Sequence, residues 1–345
     1  MKIRIISEIK ELYSIKDDWD DLYSKADYST FQSFEFNYYS WLTELSKAKG
    51  NQLCVILLTT NERACAILPL YIDFKKRLRF INDKHADFCD VLSNEKFDFE
   101  DILSEIRKHF KLYSVHFINL TEDSFLYALY KKKVWKNSLL KSFEKYSTLN
   151  LDKATFPYNV LKYTSKQKTE FRRIKKKSAE NTHHFLLKDN SNFPSQDIYQ
   201  LKERMIGLGL RKANFLNEDR LILLKELYNS NRMIVSMVKS KSNICAISFI
   251  LRNTNEYLFW IDMYDNSKMI NIYNYISFIE RISQENNTKI NFGRGVYDYK
   301  VTNFKPDIKQ LFAFYIFSNK LQLLIFLFVD NIKEILKSIY KKIKR

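Results

Sequence analysis

Two stretches of the chain repeat one alternation of apolar and polar positions at a distance of 180 residues. Residues 52–67 read QLCVILLTTNERACAI, and residues 232–247 read RMIVSMVKSKSNICAI. In each stretch an apolar strand leads into a five-residue polar turn, and a second strand opens with an apolar residue followed by Cys-Ala-Ile. A chance match of the tripeptide would not also match both strands and the turn. The pattern therefore predicts two hairpins of one duplicated α+β unit.

Helical and strand-like patterns surround both hairpins in a common order, with helices before the hairpin and strands mostly after it. In the first half, helices are predicted at 17–25, 34–48 and 99–110, and strands at 78–81, 89–92, 114–120 and 143–151. In the second half, helices are predicted at 160–177, 195–208, 218–229 and 270–285, and strands at 233–238, 244–251, 257–263, 289–292 and 310–317. The chain is therefore predicted to be an α+β protein of two similar halves.

The short segment 152–158, which contains Pro157, is the predicted join between the halves. We predict an N-terminal half at 1–151, a C-terminal half at 152–318 and an amphipathic helix at 319–345. Apolar residues of this helix recur at helical spacing: Ile325, Phe328, Ile332, Ile335, Ile339 and Ile343. The run 321–329 is too short to span a bilayer. The helix could dock on the protein or lie on an anionic membrane surface, and docking is favoured as the commoner arrangement.

Composition indicates a globular chain in a reducing compartment. Hydrophobic residues make up 46% of the 345 residues and aromatic residues 15%, with five Gly and four Pro, which excludes a disordered or collagen-like chain. The four cysteines show no CxxC pair and no zinc-ligand spacing, which favours free thiols. The first residues lack the apolar core of a signal peptide. We expect a cytoplasmic protein, with peripheral contact at the inner face of the membrane left open.

The formal net charge of +17 predicts attraction to polyanions such as nucleic acid, anionic lipid headgroups or phosphorylated small molecules. Much of the excess lies between Lys162 and Lys177, where eight Lys or Arg accompany only Glu170. A solvated helical face explains this stretch more simply than an anion site. Nucleic acid is not an expected partner, because no RNA-binding signature accompanies the charge. The five histidines form no ligand set, so no metal is expected.

The most informative segment follows the predicted strand at 289–292. Two of the five glycines flank one arginine there, in Gly293-Arg294-Gly295, and Tyr299 and Lys300 follow closely. Glycine permits a positive φ and a close approach of the backbone, so this turn could aim an Arg side chain and backbone amides at an anion. A plain strand-end turn with an exposed Arg explains the spacing equally well, and the tyrosines and Lys300 favour the functional interpretation.

The sequence NFGRGVYDYK at 291–300 resembles a signature of the BioF2-like acetyltransferase domain, which reads D-F-G-R-G, a short spacer and Y-K. That group belongs to the GNAT superfamily and is related to the Fem aminoacyltransferases. Further matching segments occur in the same order at Trp19 and Leu22, 31–41, 66–71 and 259–265, so the resemblance covers roughly residues 15–317. It implies tandem GNAT-like halves, each with a mixed, mostly antiparallel sheet flanked by helices, and acetyl coenzyme A as the acyl donor.

Two positions depart from the family pattern. The first acid of the signature is Asn291 here, and an amide can position a substrate but cannot act as a base. The loop at 265–271 has no glycine, whereas acetyltransferases carry a glycine-rich turn that binds the pyrophosphate at a helix N-terminus. Asn266 and Lys268 are the residues that could compensate, and Arg294 and Lys300 are further candidates for contact with the donor.

The resemblance implies direct attack of an amine on the acyl thioester, which needs a base and a stabilised oxyanion. Asp262 or Asp265, at the end of an apolar strand, is the best placed base, and Tyr264, Tyr297 or Tyr299 could return a proton to the leaving thiolate. Each of these residues could instead be a helix cap or a core residue. Asp87 and Asp90 lie in the matching region of the first half, and together with Asn291, Gly293 and Gly295 they are candidate acceptor-binding residues.

We therefore expect a cytoplasmic N-acyltransferase that acetylates an amine, with an amino sugar of a surface polysaccharide as the acceptor that family analogy suggests. One alternative is a Fem-type enzyme that transfers an aminoacyl group from tRNA to a peptidoglycan precursor, for which tRNA would be a partner. The other is a membrane-associated binding protein that keeps the fold and has lost catalysis, which Asn291 would permit.

Overall fold

The computed structural model describes residues 1–132, 135–152, 156–180, 182–188, 191–241, 243–265, 269–283 and 289–343, without the side chains at 334, 337, 338 and 340–343. In this part of the chain the strands are, in order, β1 (Lys2–Ile6), β2 (Gln52–Leu53), β3 (Val55–Thr60), β4 (Arg63–Leu68), β5 (Leu70–Ile72), β6 (Arg77–Phe80), β7 (Leu92–Ser93), β8 (Ser114–Leu120), β9 (Ser138–Asn150), β10 (Thr182–Leu187), β11 (Met233–Ser240), β12 (Asn243–Arg252), β13 (Glu256–Tyr264), β14 (Lys289–Arg294) and β15 (Asp307–Phe317).

The helices in the same residues are α1 (Ile9–Ser14), α2 (Lys16–Ser24), α3 (Phe34–Ser40), α4 (Phe99–His109), α5 (Phe125–Lys132), α6 (Ser165–Ala179), α7 (Ser195–Gly207), α8 (Glu218–Asn229), α9 (Ile270–Ile282), α10 (Asp298–Phe304) and α11 (Lys320–Ile343). A 3₁₀ turn at Thr30–Gln32 precedes α3, and a π-helical turn at Trp41–Leu45 follows it. Among these described residues no helix combines the length and apolar character needed to cross a membrane.

The chain forms two compact units, and each is discontinuous in sequence. The first unit contains residues 1–14, 48–143 and 311–345, and the second contains 15–47 and 144–310. These boundaries differ from the predicted halves, because residues 15–47 pack with the second unit and 311–317 with the first. The hydrophobic pattern reports which residues are buried, whereas it carries no information about which unit buries them.

The first unit holds two sets of paired strands. One runs in the order β1-β3-β4-β7 and is antiparallel throughout. The other runs β15-β8-β6-β5-β2, in which only β6 and β8 are parallel. Here the β15 segment that was predicted to close the second half instead pairs with β8, from Phe312 opposite Leu120 to Phe317 opposite Ser114.

The second unit orders its strands β10-β11-β12-β13-β14-β9. All neighbours are antiparallel except β13 and β14, which are parallel. Helix α9 packs across β11, β12 and β13, and its apolar residues join a buried aromatic cluster that includes Phe259, Tyr275, Phe292 and Phe304. This cluster fixes the positions of β13, β14 and α10 around the candidate site.

The predicted duplication is confirmed by the strand register. In the first hairpin Leu58 lies opposite Ala66, and in the second Val238 lies opposite Ala246, which is the same pairing displaced by 180 residues. Each hairpin also shifts register at the same step, between Leu58 and Thr59 in the first and between Val238 and Lys239 in the second. A shared β-bulge is a strong mark of common structure, because bulges are specific features of a strand pair.

The predicted five-residue turns of these hairpins are wrong. Strand β3 continues to Thr60 and β4 begins at Arg63, so the first turn consists of Asn61 and Glu62. Both residues have positive φ, at 50° and 63°, as a two-residue hairpin of type I′ requires. Polar residues at the strand ends made the turns look longer than they are.

Three other predictions need correction. The segment 89–92 forms strand only from Leu92, because the Cys89 N–H donates to the Asn119 carbonyl at 3.0 Å. The helix predicted from residue 160 begins at Ser165, after Thr164 closes a capping box with Gln167. Strand β1 and helices α1, α5 and α10 were not predicted at all. The bounds of α8 and β8 were predicted correctly, and most other elements to within a few residues.

A buried ion pair anchors the 15–47 segment within the second unit. The Arg220 guanidinium on α8 donates to both carboxylate oxygens of Glu44, at 2.9 and 3.4 Å, and its side chain is 9% exposed. Burial lowers the pKa of Arg220 and the Glu44 charge opposes that shift. Nearby, Thr30 Oγ1 donates to the Arg252 carbonyl at 2.8 Å. The segment is therefore held by polar contacts that the sequence pattern does not reveal.

We predict that Glu44→Ala lowers the free energy of unfolding by about 3 kcal/mol, because it leaves a buried guanidinium without its carboxylate. Denaturant unfolding measures this change. The control is Glu170→Ala, which removes the partner of Arg173 in a pair that is 58% and 44% exposed, and which should cost less than about 1 kcal/mol. Equal losses in the two variants would contradict the assignment.

Candidate functional site

A row of polar side chains crosses three strands of the second unit beneath α9. Ser236 on β11 lies directly opposite Ser248 on β12, and Ser248 lies opposite Asp262 on β13. Helix α9 supplies Asn274 and Tyr275 above this row. These residues connect to His184 on β10 and Tyr299 on α10, and we call the seven residues the polar network: His184, Ser236, Asn274, Ser248, Asp262, Tyr275 and Tyr299.

Asp262 is the point at which the polar network converges. Its Oδ1 accepts from Ser248 Oγ at 2.6 Å, and its Oδ2 accepts a short hydrogen bond from the Tyr275 hydroxyl. A carboxylate only accepts, so both hydroxyl protons must point toward it. The oxygen of Tyr275 is then left to accept from the Tyr299 hydroxyl, which lies 3.4 Å away. Hydrogen-bond direction therefore runs from Tyr299 through Tyr275 to Asp262.

The other arm of the polar network is equally directional. Ser248 Oγ accepts from Asn274 Nδ2 at 3.0 Å, and Asn274 Oδ1 accepts from Ser236 Oγ at 2.7 Å. Ser236 Oγ must then accept from His184 Nε2, which lies at 2.9 Å. This assigns the proton of His184 to Nε2. The hydroxyls of Ser236, Ser248 and Tyr275 thus each donate one hydrogen bond and accept one within the polar network, and both arms end on Asp262.

Burial keeps the two tyrosines and the histidine of the polar network uncharged. It raises the pKa of Tyr275 well above its ordinary value, and the Asp262 charge adds to that shift. Burial also raises the pKa of Tyr299, again with a contribution from Asp262. At the other end, burial and the Arg281 charge lower the pKa of His184 to about 4. Both tyrosines are therefore protonated and His184 is neutral at neutral pH.

The two parallel strands part beside this network. The recorded pairing of β13 with β14 runs from Glu256 opposite Lys289 to Leu258 opposite Asn291, although β13 continues to Tyr264. Beyond that point β14 keeps its pairing with β9, which shifts register between Asn291 and Arg294. The parting creates a wedge at the C-terminal end of β13, and Asp262 lies on the strand that forms one side of it.

The predicted Gly293-Arg294-Gly295 turn lies beside the parting. Gly293 and Gly295 have φ of 73° and 89°, conformations that favour glycine. The Gly293 N–H donates to Asn291 Oδ1 at 2.9 Å, and Asn291 Nδ2 donates to Glu256 Oε1 at 3.0 Å. Asn291 is 1% exposed, and its side chain joins the turn at Gly293 to Glu256 on β13.

Lys300 and Arg294 also have protein partners. Lys300 is 4% exposed, its Nζ donates to the Phe292 carbonyl, and it lies 5.2 and 5.9 Å from the ring centres of Tyr297 and Tyr299. Arg294 Nε lies 3.5 Å from Glu144 Oε2. Lys300 therefore fixes the tyrosines and the turn.

The predicted site residues divide between the two units. Asp262, Tyr264, Tyr299 and the 291–300 turn lie together in the second unit, with Tyr264 and Tyr299 packed on the same aromatic cluster. Asn266 and Lys268 lie outside the described residues, between β13 and α9. Their assignment to a donor stays a prediction.

Asp87 and Asp90 lie in the first unit, where Asp90 has a structural partner. Asp90 Oδ2 accepts from the Phe125 N–H at 2.7 Å, at the start of α5. Its carboxylate is buried although the residue as a whole is partly exposed, and burial raises its pKa to about 7, opposed by backbone N–H donors. Asp87 is 8% exposed. Their assignment to an acceptor stays a prediction.

The polar network belongs to one repeat only. At the offset of 180 residues, the cross-strand pair Ser236 and Ser248 corresponds to Ile56 and Leu68, which pair in the same register. Apolar residues are the ordinary occupants of a buried row, since a buried polar group is costly unless it is hydrogen-bonded. The duplication therefore supplies an internal control: one repeat keeps an apolar row, and the other builds the polar network.

Sequence reasoning found Asp262 and Tyr299 and missed the residues that join them. Ser236, Ser248 and Asn274 each lie within strongly apolar runs, and Tyr275 looked like an ordinary core aromatic. One signal was available in the aligned hairpins, where serines replace the large apolar residues of the first copy. Among the described residues, no group of three or more His, Cys, Asp or Glu could hold a metal ion, and the expected lack of a metal stays a prediction.

No family model and no curated protein matches the chain. Solved structures of similar fold include L-PGS from Bacillus licheniformis, with a TM-score of 0.60, 13% identity and coverage of 92% of this chain and 95% of that chain. FemX has a TM-score of 0.61 at 12% identity, covering 94% and 99%. A tandem GNAT protein from the clavulanic acid biosynthesis pathway has a TM-score of 0.50 at 8% identity, covering 91% and 98%.

These likenesses show the fold. The chain has the α+β, GNAT-like architecture in tandem that the sequence predicted, and Fem-related and GNAT proteins share it. The narrower resemblance to the BioF2-like group stays a prediction.

We predict that the stability of the wild-type protein falls more steeply below pH 6.5 than that of a His184→Gln variant. The pKa of His184 is lower in the folded protein than its value near 6.5 in the unfolded chain. The neutral His184 therefore contributes fully to stability above pH 6.5, and this contribution is lost as pH falls toward about 4. The difference between the two proteins should change by roughly 2 to 3 kcal/mol between pH 7 and pH 4.5. Denaturant unfolding at several pH values measures it.

The comparison between variants is needed because Asp90 titrates with the opposite sign. Its raised pKa makes the fold less stable as pH rises from its unfolded value toward about 7. This contribution is common to both proteins and cancels in the difference. Parallel pH curves for the wild type and His184→Gln would contradict a buried, neutral His184.

Proposed function

We propose that the protein is an N-acyltransferase that moves an acyl group, acetyl in the first instance, from coenzyme A to an amine. Family analogy makes an amino sugar of a surface polysaccharide the acceptor to test first. The observation that supports this proposal is the polar network, which leads from the partly buried carboxylate of Asp262, through two tyrosines, to the place where β13 and β14 part.

The polar network provides a route for the proton that an attacking ammonium must lose. With the Tyr299 proton directed at Tyr275, a lone pair of Tyr299 is left for the substrate amine. Loss of the ammonium proton to Tyr299 moves the Tyr299 proton to Tyr275 and the Tyr275 proton to Asp262. Asp262 thereby becomes protonated and neutral, and both tyrosines are protonated again at the end of the transfer.

The remaining steps are those of direct acyl transfer. The amine nitrogen forms a bond to the acyl carbon and releases its second proton, the carbon–sulfur bond breaks, and the thiolate takes up a proton, so that the second proton from nitrogen replaces the one given to sulfur. Tyr264 is the donor proposed for that proton, because it lies at the end of β13 and packs on the same aromatic cluster as Tyr299. Asp262 thus acts as a base through Tyr275 and Tyr299.

The wedge between β13 and β14 is the proposed place for the donor. Backbone groups of a strand beyond its last pairing can bind an extended amide-containing chain, as in strand addition. Helix α9 begins at the end of the β13 connection, and a helix N-terminus favours a phosphate. The tandem GNAT protein, whose solved structure is described as lacking AcCoA, supports a donor of this class.

A second candidate donor is an aminoacyl-tRNA. The fold likeness to FemX, together with the basic side chains of α6, supports it. That helix exposes Lys166, Arg172, Arg173, Lys176 and Lys177, and cationic side chains on one helix suit an RNA backbone. The proton route would serve either donor, since both reactions acylate an amine.

Ligand stabilisation separates the two donors. We predict that acetyl coenzyme A or coenzyme A at 100 times its dissociation constant raises the free energy of unfolding by about 2.7 kcal/mol. Thermal unfolding is measured with acetyl coenzyme A, coenzyme A and aminoacyl-tRNA in turn. Stabilisation by aminoacyl-tRNA alone would support the second donor. The absence of any change with millimolar coenzyme A would contradict the first.

We predict that Tyr299→Phe and Asp262→Asn each lower kcat by at least about a hundredfold, because each interrupts the proton route. Release of the coenzyme A thiol is followed with acetyl coenzyme A and a panel of amino sugars. Tyr273→Phe is the matched control, since Tyr273 lies on α9 at 5% exposure and outside the polar network. Similar rates for Tyr299→Phe and Tyr273→Phe would contradict the role of Tyr299.

A further inference from the structure

Helix α11 is attached to the first unit by one face only. Leu323 and Phe326 pack against a small apolar cluster formed by Ala313, Tyr315 and Phe317 of β15. The Phe326 ring centre lies 4.7 Å from that of Tyr315 and 5.1 Å from that of Phe317. Lys141 forms an ion pair with Asp330 at 2.5 Å on the same side. The predicted docking of this helix is therefore realised by its N-terminal turns.

The opposite face of α11 is apolar and exposed. Its large side chains are between 40% and 67% exposed, and they are Leu321, Leu324, Ile325, Phe328, Val329, Ile332, Ile335, Leu336 and Ile339. Their spacing of three and four residues places them on one stripe, about 180° from the packed face. After Asp330, every described side chain of the helix is exposed. A continuous apolar surface of this length marks an interaction site.

Charge identifies the partner of this surface. The sequence from Lys320 to Arg345 contains seven Lys or Arg and two Asp or Glu. The whole chain has a formal net charge of +17, so two copies of the protein would repel one another. An anionic lipid surface instead offers both an apolar layer for the stripe and negative headgroups for the lysines.

The start of α11 carries a second feature of the same kind. The Ser318 N–H and its Oγ donate to the Tyr113 carbonyl, at 3.1 and 2.7 Å, which holds Tyr113 beside the first turn of the helix. Tyr113 is 42% exposed, and Lys111 Nζ lies 5.2 Å from its ring centre. Exposed aromatic rings accompanied by lysines suit the interface between lipid headgroups and acyl chains.

We infer that α11 binds the protein to an anionic phospholipid bilayer, lying in the plane of the surface with its apolar stripe in the acyl boundary. The helix has 24 residues and is about 36 Å long. It contains Asp330 and Lys333 near its middle, and no described helix meets the requirements for a membrane span. The helix therefore lies on the membrane surface and does not cross the bilayer. This proposal does not depend on the proposed transferase reaction.

The experiment uses the full chain and sedimentation with vesicles. We expect binding to vesicles of phosphatidylcholine with 30% phosphatidylglycerol, roughly the anionic content that lets lysines contribute, and at least about tenfold weaker binding to phosphatidylcholine alone. High salt should weaken the binding. The double variant Phe328→Ser/Ile335→Ser should bind the anionic vesicles at least about tenfold less, because it removes two apolar anchors.

The matched control is Leu161→Ser/Ile222→Ser, which alters two exposed apolar residues of the second unit and should bind like the wild type. Thermal unfolding checks that both double variants remain folded. Equal binding of the wild type and the Phe328→Ser/Ile335→Ser variant would overturn the proposal, as would equal binding to neutral and anionic vesicles. A dimer that this variant dissociates, without vesicle binding by the wild type, would assign the stripe to a second copy and also overturn it.

Discussion

The arrangement of the second unit depends on one partly buried carboxylate. Asp262 lies on a central strand beneath α9, where an acceptor group is tolerated only if donors are supplied. Ser248 supplies one donor from the neighbouring strand, and Tyr275 supplies the other from the helix. Each of these hydroxyls then requires a donor of its own. This requirement extends the polar network to His184 in one direction and to Tyr299 in the other.

The duplication explains how such a network can be accommodated. Both repeats keep the same hairpin register and the same bulge, so the backbone does not depend on the side chains beneath the helix. The first repeat fills the equivalent row with Ile56 and Leu68, as an ordinary core does. In the second repeat Ser236, Ser248 and Asn274 are buried, and Tyr275 belongs to the same aromatic cluster as Phe259. Equivalent positions of the repeated fold thus hold apolar core residues in the first repeat and the polar network in the second.

Much of this architecture could be predicted from the sequence. The 180-residue repeat, the helix at α8 and the strand at β8 followed from hydrophobic period, and the glycine turn followed from Gly293 and Gly295. The packing of residues 15–47 with the second unit could not be predicted, because the apolar pattern does not show which unit buries a residue. The hydrogen-bond partners of Ser236, Ser248 and Asn274 could not be predicted either, since they depend on the cross-strand register and on the position of α9. The assignment of Asn291 and Lys300 to substrate and donor stays a prediction, and the structure adds partners within the protein that hold both side chains at the turn.

The central claim is that the hydroxyl of Tyr275 donates to Asp262 and couples it to Tyr299. Proton NMR in water at neutral pH tests this most directly, since a short, buried hydrogen bond to a carboxylate gives a downfield resonance that exchanges slowly. The account predicts such a resonance in the wild type, its loss in Tyr275→Phe and its retention, shifted, in Tyr299→Phe. Its absence from the wild type, or its persistence in Tyr275→Phe, would contradict the account.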